Sequence, residues 1–557
     1  MPPQIPHLRL TPTSKQLIVD GKPFLMRAGE LQNSSMSSAK YMAEAWPKLV
    51  EANFNTVLGS VAWEQIEPEE GKFDFTELDA CLQGTREHGL RLVLLWFGSF
   101  KNGLSTYAPS WVKTNIKRFP RARLRKAGGE IAIADVLSIF HEEAQNADAK
   151  AFAKLLTHLK EVDGDRSNVI MVQVENEVGL LGDSRDGSSA AEKRFKSAVP
   201  AQLVRALEAE KNQLRPEMRW ALERVKKNSK GTWTEVFGHG RKTDELFMAY
   251  HYALYLEQVA SAGRKEYALP LYTNVWQNYN GEDGDKSFPT VVGGGDNPGD
   301  YPSGGGVIDV LDIWKIFAPS LDMISPDVYL NDYSKTCAKY RHRDQPLFIP
   351  EQRRDEYGAR RVWVAVGSYQ CLGASPFGID TLEPHENPFK RHYGLMAQVS
   401  EHILQAQRDH SSIGFFFDEL PAGAGATDPS PPQKAKFGPW TLTIQRSFVF
   451  GHPGPGFGMV IHKGGARFVF IGAGFQVTFR HESASFTGIL RFDEKEAQED
   501  GSLRTLRMLN GDETRSGASC VMPNESPDYG NFPICITIPA RTMIAEAEVY
   551  AVEDDEA

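Results

Sequence analysis

The chain has 557 residues, and 72 acidic against 62 basic side chains give it a formal net charge of −10. At roughly 150 residues per domain, this length allows anything from two large domains to four small ones. Hydrophobic residues make up 41% and charged residues 24% of the chain, which excludes disordered, collagen-like and coiled-coil proteins. The acidic balance argues against nucleic acid as a partner. Residues 117–126 are locally basic, but no aromatic stacking pattern accompanies them, and we predict a solvated loop there.

The five cysteines are scattered without a CxxC pair, which predicts neither a zinc ribbon nor a disulfide scaffold. The first residues lack the charged and then apolar profile of a signal peptide, and no apolar stretch approaches the roughly 18 residues of a transmembrane helix. These features predict a cytoplasmic protein without a membrane partner, although a leader peptide removed earlier would leave the same pattern. The oligomeric state stays open.

From about residue 20 to 410, short apolar strands alternate with long helical patterns. The predicted strands are Phe24–Ala28, Thr56–Val61, Arg91–Trp96, Val169–Val174, Leu271–Val275, Met323–Ser325, Leu347–Pro350 and Ala374–Phe377. Several are almost continuously apolar, as expected for parallel strands covered on both faces. Predicted helices include Asp148–Glu161, Thr243–Gly263 and Phe389–Asp409. This alternation predicts an α/β fold, a (β/α)8 TIM barrel with an N-terminal strand extension, over residues 1–410.

A doubly wound sheet would also alternate strands and helices, but it should carry a glycine-rich turn after its first strand. Residues 26–31, MRAGEL, lack the GxGxxG pattern, so we prefer the barrel. Two segments look inserted: a long, charged and partly helical one near residues 184–241, and a glycine-rich loop at 293–306. That loop lacks the Gly-Lys-Ser/Thr end of a phosphate-binding loop, so we predict a surface or active-site loop there.

After about residue 410 the pattern changes. The predicted strands are Ser412–Leu420, Trp440–Phe450, Met459–His462, Ala466–Ile471, Gln476–Phe479 and Pro533–Ile538. Gly, Pro, Asn and Asp separate them, and this part of the sequence shows no convincing amphipathic helix. Such a pattern is typical of antiparallel sandwiches. We therefore predict a C-terminal β-sandwich domain over residues 411–557.

Two carboxylate side chains follow predicted barrel strands. Glu177 comes just after Val169–Val174 in the sequence Glu-Asn-Glu, and Glu351 comes directly after Leu347–Pro350. Catalytic groups of a barrel lie where strands end and the following loops begin. Paired carboxylates suit glycosidic bond cleavage, because one donates a proton to the leaving oxygen while the other attacks the anomeric carbon or activates water. The alternative, that both only form salt bridges at the rim, is less favoured because two such residues occur.

Two motifs carry a resemblance to a known family. Residues 173–179, QVENEVG, closely resemble the QxENEYG signature of glycoside hydrolase family 35, β-galactosidases of the retaining barrel clan A. Trp63 with residues 67–75, EPEEGKFDF, resembles the W-x-x-x-EP-x-x-G-x-F-x-F stretch shared by families 35 and 42. The resemblance covers roughly residues 10–410.

The resemblance implies roles for four residues. Glu177 would be the general acid/base and Glu351 the nucleophile of a double displacement. Asn176 would donate a hydrogen bond to the sugar 2-hydroxyl, an interaction that strengthens in the transition state. Tyr329, at the end of the sixth strand, would hydrogen-bond the nucleophile and help to keep it ionised; alternatively it packs on a neighbour at the rim.

The sequence departs from the family pattern where the sugar would be recognised. Ser60 and Ile66 stand where the family has Tyr and His, and residues 95–103, LWFGSFKNG, replace its AEW segment. Residues 29–35 and 300–305, GELQNSS and DYPSGG, resemble a divergent branch of family 35 with a C-terminal β-sandwich. Members of that branch resemble galactosidases that act on xyloglucan side chains.

Position near the strand ends identifies further candidate sugar ligands, because sugar rings stack on aromatic side chains and polar groups bind their hydroxyls. Trp96 and Trp276 are candidate platforms, although each could instead belong to the core. Asn102 and Asn274 are candidate hydroxyl ligands. Glu30 is another, since a charge buried beneath a sugar makes sense only if it accepts hydrogen bonds.

We expect neither a metal nor a cofactor. His141 and Glu142 lack the second His of HExxH, and residues 373–378 lack the GxSxG spacing. The resemblance implies a retaining exo-β-galactosidase whose partner is a carbohydrate substrate, a β-galactoside oligosaccharide, with xyloglucan fragments among the candidates. Two alternatives stay open: another retaining exo-β-glycosidase, such as a β-glucosidase or β-glucosaminidase, and a catalytically silent carbohydrate-binding barrel.

Overall fold

The structure is a computed structural model that describes residues 4–278, 294–418, 430–447, 455–524 and 541–553. The chain divides into two compact units. The first unit comprises Met1–Arg9, Lys15–Gln352 and Ala374–Pro384, and the second comprises Leu10–Ser14, Arg353–Gly373 and His385–Ala557. The boundary placed at residue 410 from the sequence stays a prediction.

The amino-terminal two thirds of the chain is rich in short strands. In chain order they are β1 (His7–Leu10), β2 (Lys15–Val19), β3 (Lys22–Pro23), β4 (Ala28–Glu30), β5 (Thr56–Ala62), β6 (Arg91–Phe97), β7 (Arg121–Arg125), β8 (Ile131–Leu137), β9 (Val169–Val174), β10 (Leu271–Val275), β11 (Met323–Pro326), β12 (Ile349–Gln352) and β13 (Ala374–Pro376). All six residues of β9 are buried, and so are the last six of β6. Continuous burial explains why these strands are almost uniformly apolar, because neither face meets water.

A parallel sheet forms the centre of the first unit. Its order is β11-β10-β9-β6-β5-β4, and β12 pairs in parallel with β13. Isolated parallel bridges join Val328 to Gln352 and Glu30 to Phe377. Because neighbouring strands follow one another in chain order and run parallel, this half-barrel is TIM-barrel-like, and the carboxyl ends of its strands lie at one edge.

Helices connect the parallel strands. In chain order they are α1 (Ala39–Glu51), α2 (Trp63–Ile66), α3 (Thr76–Glu87), α4 (Ser110–Lys113), α5 (Glu142–Asp163), α6 (Ser189–Phe195), α7 (Ala201–Ala209), α8 (Arg219–Lys227), α9 (Trp233–Phe237), α10 (Arg241–Glu266), α11 (Leu311–Phe317) and α12 (Tyr333–Tyr340). Short 3-10 turns occur at Ser35–Ser37, Ala127–Gly129, Pro216–Met218 and Ile379–Thr381. Local sequence explains several starts: the Ser38 side chain caps α1, and Thr232 with Glu235 forms a capping box on α9.

Two local predictions for the first unit were wrong. The first parallel strand is Ala28–Glu30 rather than Phe24–Ala28, because Lys22–Pro23 is used in an antiparallel hairpin with β2. The basic segment is not a loop throughout, since Arg121–Arg125 pairs antiparallel with β8. Its Arg121 bonds Asp135 across the hairpin, and its Arg125 bonds Asp183. These arginines form ion pairs with acidic residues distant in sequence, and a local sequence pattern does not reveal such pairs.

The second unit combines three helices with antiparallel strands. The helices are α13 (Glu356–Tyr369), α14 (Phe389–Gln398) and α15 (Ser400–Asp409), and a 3-10 turn covers Asp512–Thr514. The strands are β14 (Ser412–Phe417), β15 (Gln433–Phe437), β16 (Trp440–Arg446), β17 (Gly456–His462), β18 (Arg467–Ala473), β19 (Phe475–His481), β20 (Phe486–Ala497), β21 (Leu503–Met508), β22 (Cys520–Met522) and β23 (Ile544–Val552). The predicted strand Pro533–Ile538 lies outside the described residues.

Two antiparallel sheets make up the carboxyl-terminal region. Their orders are β14-β17-β18-β23-β20-β21 and β15-β16-β19-β22. Both contribute to one buried hydrophobic cluster, which includes Phe415, Leu442 and Phe470. Burial alternates along β16, as expected for strands with one covered face. This carboxyl-terminal region is therefore sheet-rich. Among the described helices, none combines the length and apolar character that crossing a membrane would require.

Candidate active site

A cavity of about 330 Å³ opens at the carboxyl ends of the parallel strands. Its walls come from segments that directly follow β4, β6, β9, β10, β11 and β13 and from β12 itself. The lining residues are Asn33, Lys101, Asn102, Glu177, Trp276, Gln277, Asp327, Tyr329, Asn331, Glu351 and Phe377. Side chains from far apart in sequence meet here because the ends of parallel strands share one edge of the sheet. The size falls in the range of sites for small molecules.

Three buried carboxyl groups converge in this cavity. One oxygen atom from each of Glu177, Asp327 and Glu351 lies within 4.8 Å of the others. The three side chains are 9%, 4% and 6% exposed, so little water is available to separate their charges. Although these oxygens are close enough to hold a cation, an acidic cluster by itself does not identify a metal site. The separation instead sets the electrostatics of the site, since three adjacent carboxyl groups cannot all ionise easily.

Glu351 receives hydrogen bonds on both carboxylate oxygens. The Tyr329 hydroxyl donates to Oε2 at 2.8 Å. The Asn274 and Asn176 side-chain amides donate to Oε1 at 3.2 and 3.4 Å. These donors come from three different strand ends and stabilise negative charge on Glu351. They also fix the direction in which its free lone pairs point.

Glu177 sits in a turn with an uncommon backbone conformation, φ +45°. Its backbone N–H donates to the Asn274 side-chain oxygen at 2.9 Å, and its carbonyl oxygen accepts from the Gly103 N–H at 3.0 Å. Burial, followed by the nearby charge of Glu351, raises the pKa of Glu177 to about 7, while Lys101 acts in the opposite direction. Glu177 therefore carries a proton over much of the range up to neutral pH, as a general acid must.

Asp327 is the carboxyl group that we did not single out from the sequence. Burial raises its pKa well above the ordinary value, and the charges of Glu351 and Glu177 add to this effect. The Asn274 amide donates to Asp327 Oδ2 at 2.9 Å, so Asn274 links two carboxyl groups and the backbone of the third. A rule that accepts an acid within three residues of the end of a predicted barrel strand would also have found Asp327.

Glu30 and Lys101 lie close to the carboxyl cluster. Glu30 is 1% exposed, and among the described residues no donor reaches either of its carboxyl oxygens. Burial and then Glu351 raise the pKa of Glu30 well above its ordinary value, against the opposing charge of Lys101. Lys101 donates from Nζ to Asn176 Oδ1 at 3.1 Å and thereby fixes the orientation of that amide.

The remaining site predictions divide into two groups. Trp276 and Asn102 line the cavity, where both could meet a ligand. Trp96 does not line it: its side chain is fully buried and donates from Nε1 to Asp148 Oδ1 at 2.9 Å. The expectation of a Trp96 platform is therefore corrected, because this strand is covered on both faces and Trp96 points into the helical layer.

Several lining residues were missed by sequence reasoning. They are Asn33, Lys101, Gln277, Asp327, Asn331 and Phe377. Each lies within a few residues of the end of a predicted strand, which is the one signal that could have found them. Polar residues are common in such loops, so the signal does not separate cavity walls from ordinary loop surface.

Two segments of the chain match known protein families. Residues 35–214 match the model of glycoside hydrolase family 42, described as β-galactosidase, and this segment includes Glu177. This match indicates a glycoside hydrolase domain in residues 35–214. Residues 389–520 match a domain of unknown function, DUF5597.

The matching family differs from the one that the motifs resembled. Family 42, not family 35, is the family that matches, and the family 35 assignment is not supported. The Trp63 and EPEEGKFDF stretch does not separate the two families, because both share it. The retaining barrel clan fits the parallel strands and the strand-end carboxylates.

Similar solved structures include a β-amylase catalytic domain from Paenibacillus polymyxa, at 10% identity and a TM-score of 0.45 over 66% of this chain and 96% of that one. A β-galactosidase from Bacillus circulans sp. alkalophilus has 15% identity and a TM-score of 0.43, with 68% and 57% covered. A family 42 β-galactosidase from G. stearothermophilus has 14% identity and a TM-score of 0.42, with 69% and 57% covered. The chain thus spans little more than half the length of these β-galactosidases. No curated protein matches the chain significantly.

Proposed function

We propose that the chain is a retaining exo-β-galactosidase that removes terminal β-galactosyl groups from oligosaccharides, xyloglucan fragments among them. The match of residues 35–214 to a family described as β-galactosidase supports the sugar. A cavity of about 330 Å³, rather than a long cleft, supports removal of single terminal residues.

The observation that carries this proposal is the approach of Glu177 and Glu351. Their nearest carboxylate oxygens lie within 4.8 Å of each other. Retaining glycosidases place the two carboxyl groups ~5–5.5 Å apart, whereas inverting enzymes leave ~6.5–9.5 Å for a water molecule. The short separation favours direct attack by one carboxylate on the sugar over attack by an intervening water.

The proposed reaction proceeds in two displacements. In the first, Glu351 attacks the anomeric carbon, the bond to the leaving oxygen breaks, and Glu177 gives its proton to that oxygen. Tyr329, which donates to Glu351 Oε2, orients the nucleophile for this attack. In the second, ionised Glu177 takes a proton from water, and that water displaces Glu351 from the sugar. Asn176, held by Lys101, would donate to the sugar 2-hydroxyl.

A panel of aryl glycosides tests the sugar. We expect the β-galactoside to be hydrolysed with the highest kcat/KM among β-galactoside, β-glucoside and N-acetyl-β-glucosaminide. Preference for another sugar would contradict galactose as the substrate sugar but not the proposed double displacement. Binding of galactosides without hydrolysis of any member of the panel would instead favour a silent carbohydrate-binding barrel.

Proton NMR during hydrolysis tests retention. We expect β-galactose to form first and to mutarotate afterwards, because two inversions at the anomeric carbon restore its configuration. Early release of α-galactose would contradict the double displacement.

The surrounding architecture is part of the proposal. We propose that the parallel strands and the β12–β13 pair close into a (β/α)8 barrel, which the bridges Val328–Gln352 and Glu30–Phe377 support. The shared hydrophobic cluster supports a β-sandwich for the two antiparallel sheets. We also propose a cytoplasmic location, in keeping with the buried thiols of Cys81 and Cys520.

A further inference from the structure

A second pair of carboxyl groups lies behind the catalytic cavity. Glu175 directly follows β9, two residues before Glu177, and Asp148 lies in α5. Both side chains are 0% exposed, and neither lines the cavity. The backbone at Glu175 has φ +60°, a conformation that a non-glycine residue rarely adopts without compensating contacts.

Both carboxyl groups bind the same backbone turn, residues 98–100. Glu175 accepts from the Phe100 N–H at 2.7 Å and from the Ser99 N–H at 3.2 Å. The Ser99 N–H is shared, because it also donates to Asp148 Oδ2 at 3.2 Å. A Cβ atom at Gly98 would lie 2.5 Å from Glu175 Oε1 and 2.7 Å from Asp148 Oδ1. The two carboxyl groups therefore converge on one point that only glycine leaves open.

Among the described residues, no cation forms an ion pair with Glu175 or Asp148. Lys101, the next residue after the turn, instead donates to Asn176 Oδ1. The other titratable group that faces the pair is Tyr255 from α10, whose hydroxyl bonds Ser99 Oγ at 2.8 Å. Two buried carboxylates without a cation would repel strongly, and such pairs relieve the repulsion by retaining one proton.

We infer that Glu175 and Asp148 share one proton, and that this singly charged pair positions residues 175–177 by holding the 98–100 turn against them. The turn is coupled to the site directly, because the Phe100 carbonyl accepts from the Asn176 N–H at 3.2 Å. Lys101, the next residue, orients the Asn176 side chain. Burial and the charge of Asp148 raise the pKa of Glu175 well above its ordinary value, which agrees with Glu175 as the proton carrier. Glu175 is thus a positioning residue for the proposed reaction, and this inference rests on that function.

Unfolding experiments test the shared proton without reference to activity. The folded protein would keep the proton to higher pH than the unfolded chain, where glutamate has a pKa of about 4.3. Stability therefore falls as pH rises between those two values, and Glu175→Gln removes this dependence. Urea unfolding from pH 5 to 8 gives an unfolding equilibrium constant for each protein. We expect the ratio of the E175Q constant to the wild-type constant to decrease as pH rises, by up to about tenfold per pH unit.

A control variant and one contrary outcome complete the test of the shared proton. Glu208→Gln, at an exposed glutamate of α7, should show a pH-independent ratio and serves as the control. A pH-independent ratio for E175Q as well would mean that Glu175 is ionised at pH 5 already, and would overturn the inference.

Kinetics test the positioning role. We expect Glu175→Ala to lower kcat on an aryl β-galactoside about 100-fold with little change in KM, because displacement of a catalytic group by about 1 Å has an effect of this size. E175Q, which stays neutral and can still donate to Asp148, should restore kcat to within about threefold of wild type. Equal loss in both variants would show that ionised Glu175 is needed and would overturn the shared proton. If wild type hydrolyses no glycoside, the proposed function fails, while the unfolding ratios still decide the proton.

Discussion

Two tyrosine–glutamate pairs in the first unit have nearly the same hydrogen bond but different surroundings. Tyr329 donates to Glu351 at 2.8 Å in the cavity, and Tyr301 donates to Glu245 at 2.7 Å in the interior. Burial raises the pKa of Glu245 to about 8, so it resembles Glu177 in electrostatics. Glu245 and Tyr301 do not line the cavity, however, and are only 3% and 1% exposed.

The difference shows what a raised pKa and a tyrosine partner do not establish. Both occur at Glu245, which lies near the first turn of α10 and does not line the cavity. A catalytic assignment needs, in addition, a cavity and a second carboxyl group within reach of the same substrate atom. The cavity pair has both, and the interior pair provides matched controls for each experiment.

Glu351→Gln should have the largest effect. A neutral amide cannot form the covalent intermediate, so we expect kcat on an aryl β-galactoside to fall about 10⁴-fold or more, while circular dichroism stays that of wild type. Glu245→Gln is the control, expected to lower kcat less than threefold because it touches no reacting atom. A comparable loss of kcat in E351Q and E245Q would contradict the assignment of catalysis to the cavity pair alone.

Glu177→Gln should come next, with an effect that depends on the leaving group. A substrate with a basic aglycone needs proton donation, and we expect its kcat/KM to fall about 10³-fold. For a 2,4-dinitrophenyl β-galactoside, whose leaving group needs little protonation, the loss in kcat/KM should be far smaller. Equal losses for the two substrates would argue against Glu177 as the general acid.

Tyr329→Phe should lower kcat by about 10- to 100-fold, because Glu351 loses a hydrogen bond to its charged form. Tyr301→Phe removes the corresponding bond from Glu245 and should instead lower the unfolding free energy, by about 1–3 kcal/mol, with kcat preserved. Steady-state kinetics and urea unfolding of both variants make the comparison. A kinetic loss in Y301F and none in Y329F would reverse the assignment.

The pH dependence of wild type gives the smallest effect in this series. Burial and Glu351 raise the pKa of Glu177 to about 7, and the protonated form is the proposed acid. On the alkaline side of the pH profile, kcat/KM should therefore be maximal below about pH 7 and fall about tenfold per pH unit above it. E245Q should show the same fall at the same pH. A fall that begins near pH 4.5 would mean that the pKa of Glu177 is not raised and that Glu177 is not the acid.

Much of the site's position could be predicted from the sequence. The apolar runs of β6 and β9 are found within a residue of their predicted ends, because a strand covered on both faces must be continuously apolar. A similar local rule, an acid within three residues of the end of a predicted strand, identified Glu177 and Glu351. Helix α13 is harder to recognise from the sequence, because almost all of its middle is buried, Arg360 and Arg361 included, which hides the amphipathic period.

The alternation of strands and helices, and the strand ends where chemistry could occur, can be predicted from the order of apolar and polar residues alone. Which side chains meet at those strand ends depends on the packing of the folded chain. Every residue of a doubly covered strand is buried, so the pattern does not say whether Trp96 faces the cavity or the helices. Nor does it say that Asp327 lies beside Glu177 and Glu351, or that Asp148 meets Glu175 behind them. Such contacts depend on the pairing of distant strands and helices, and that pairing decides which carboxyl groups keep a proton.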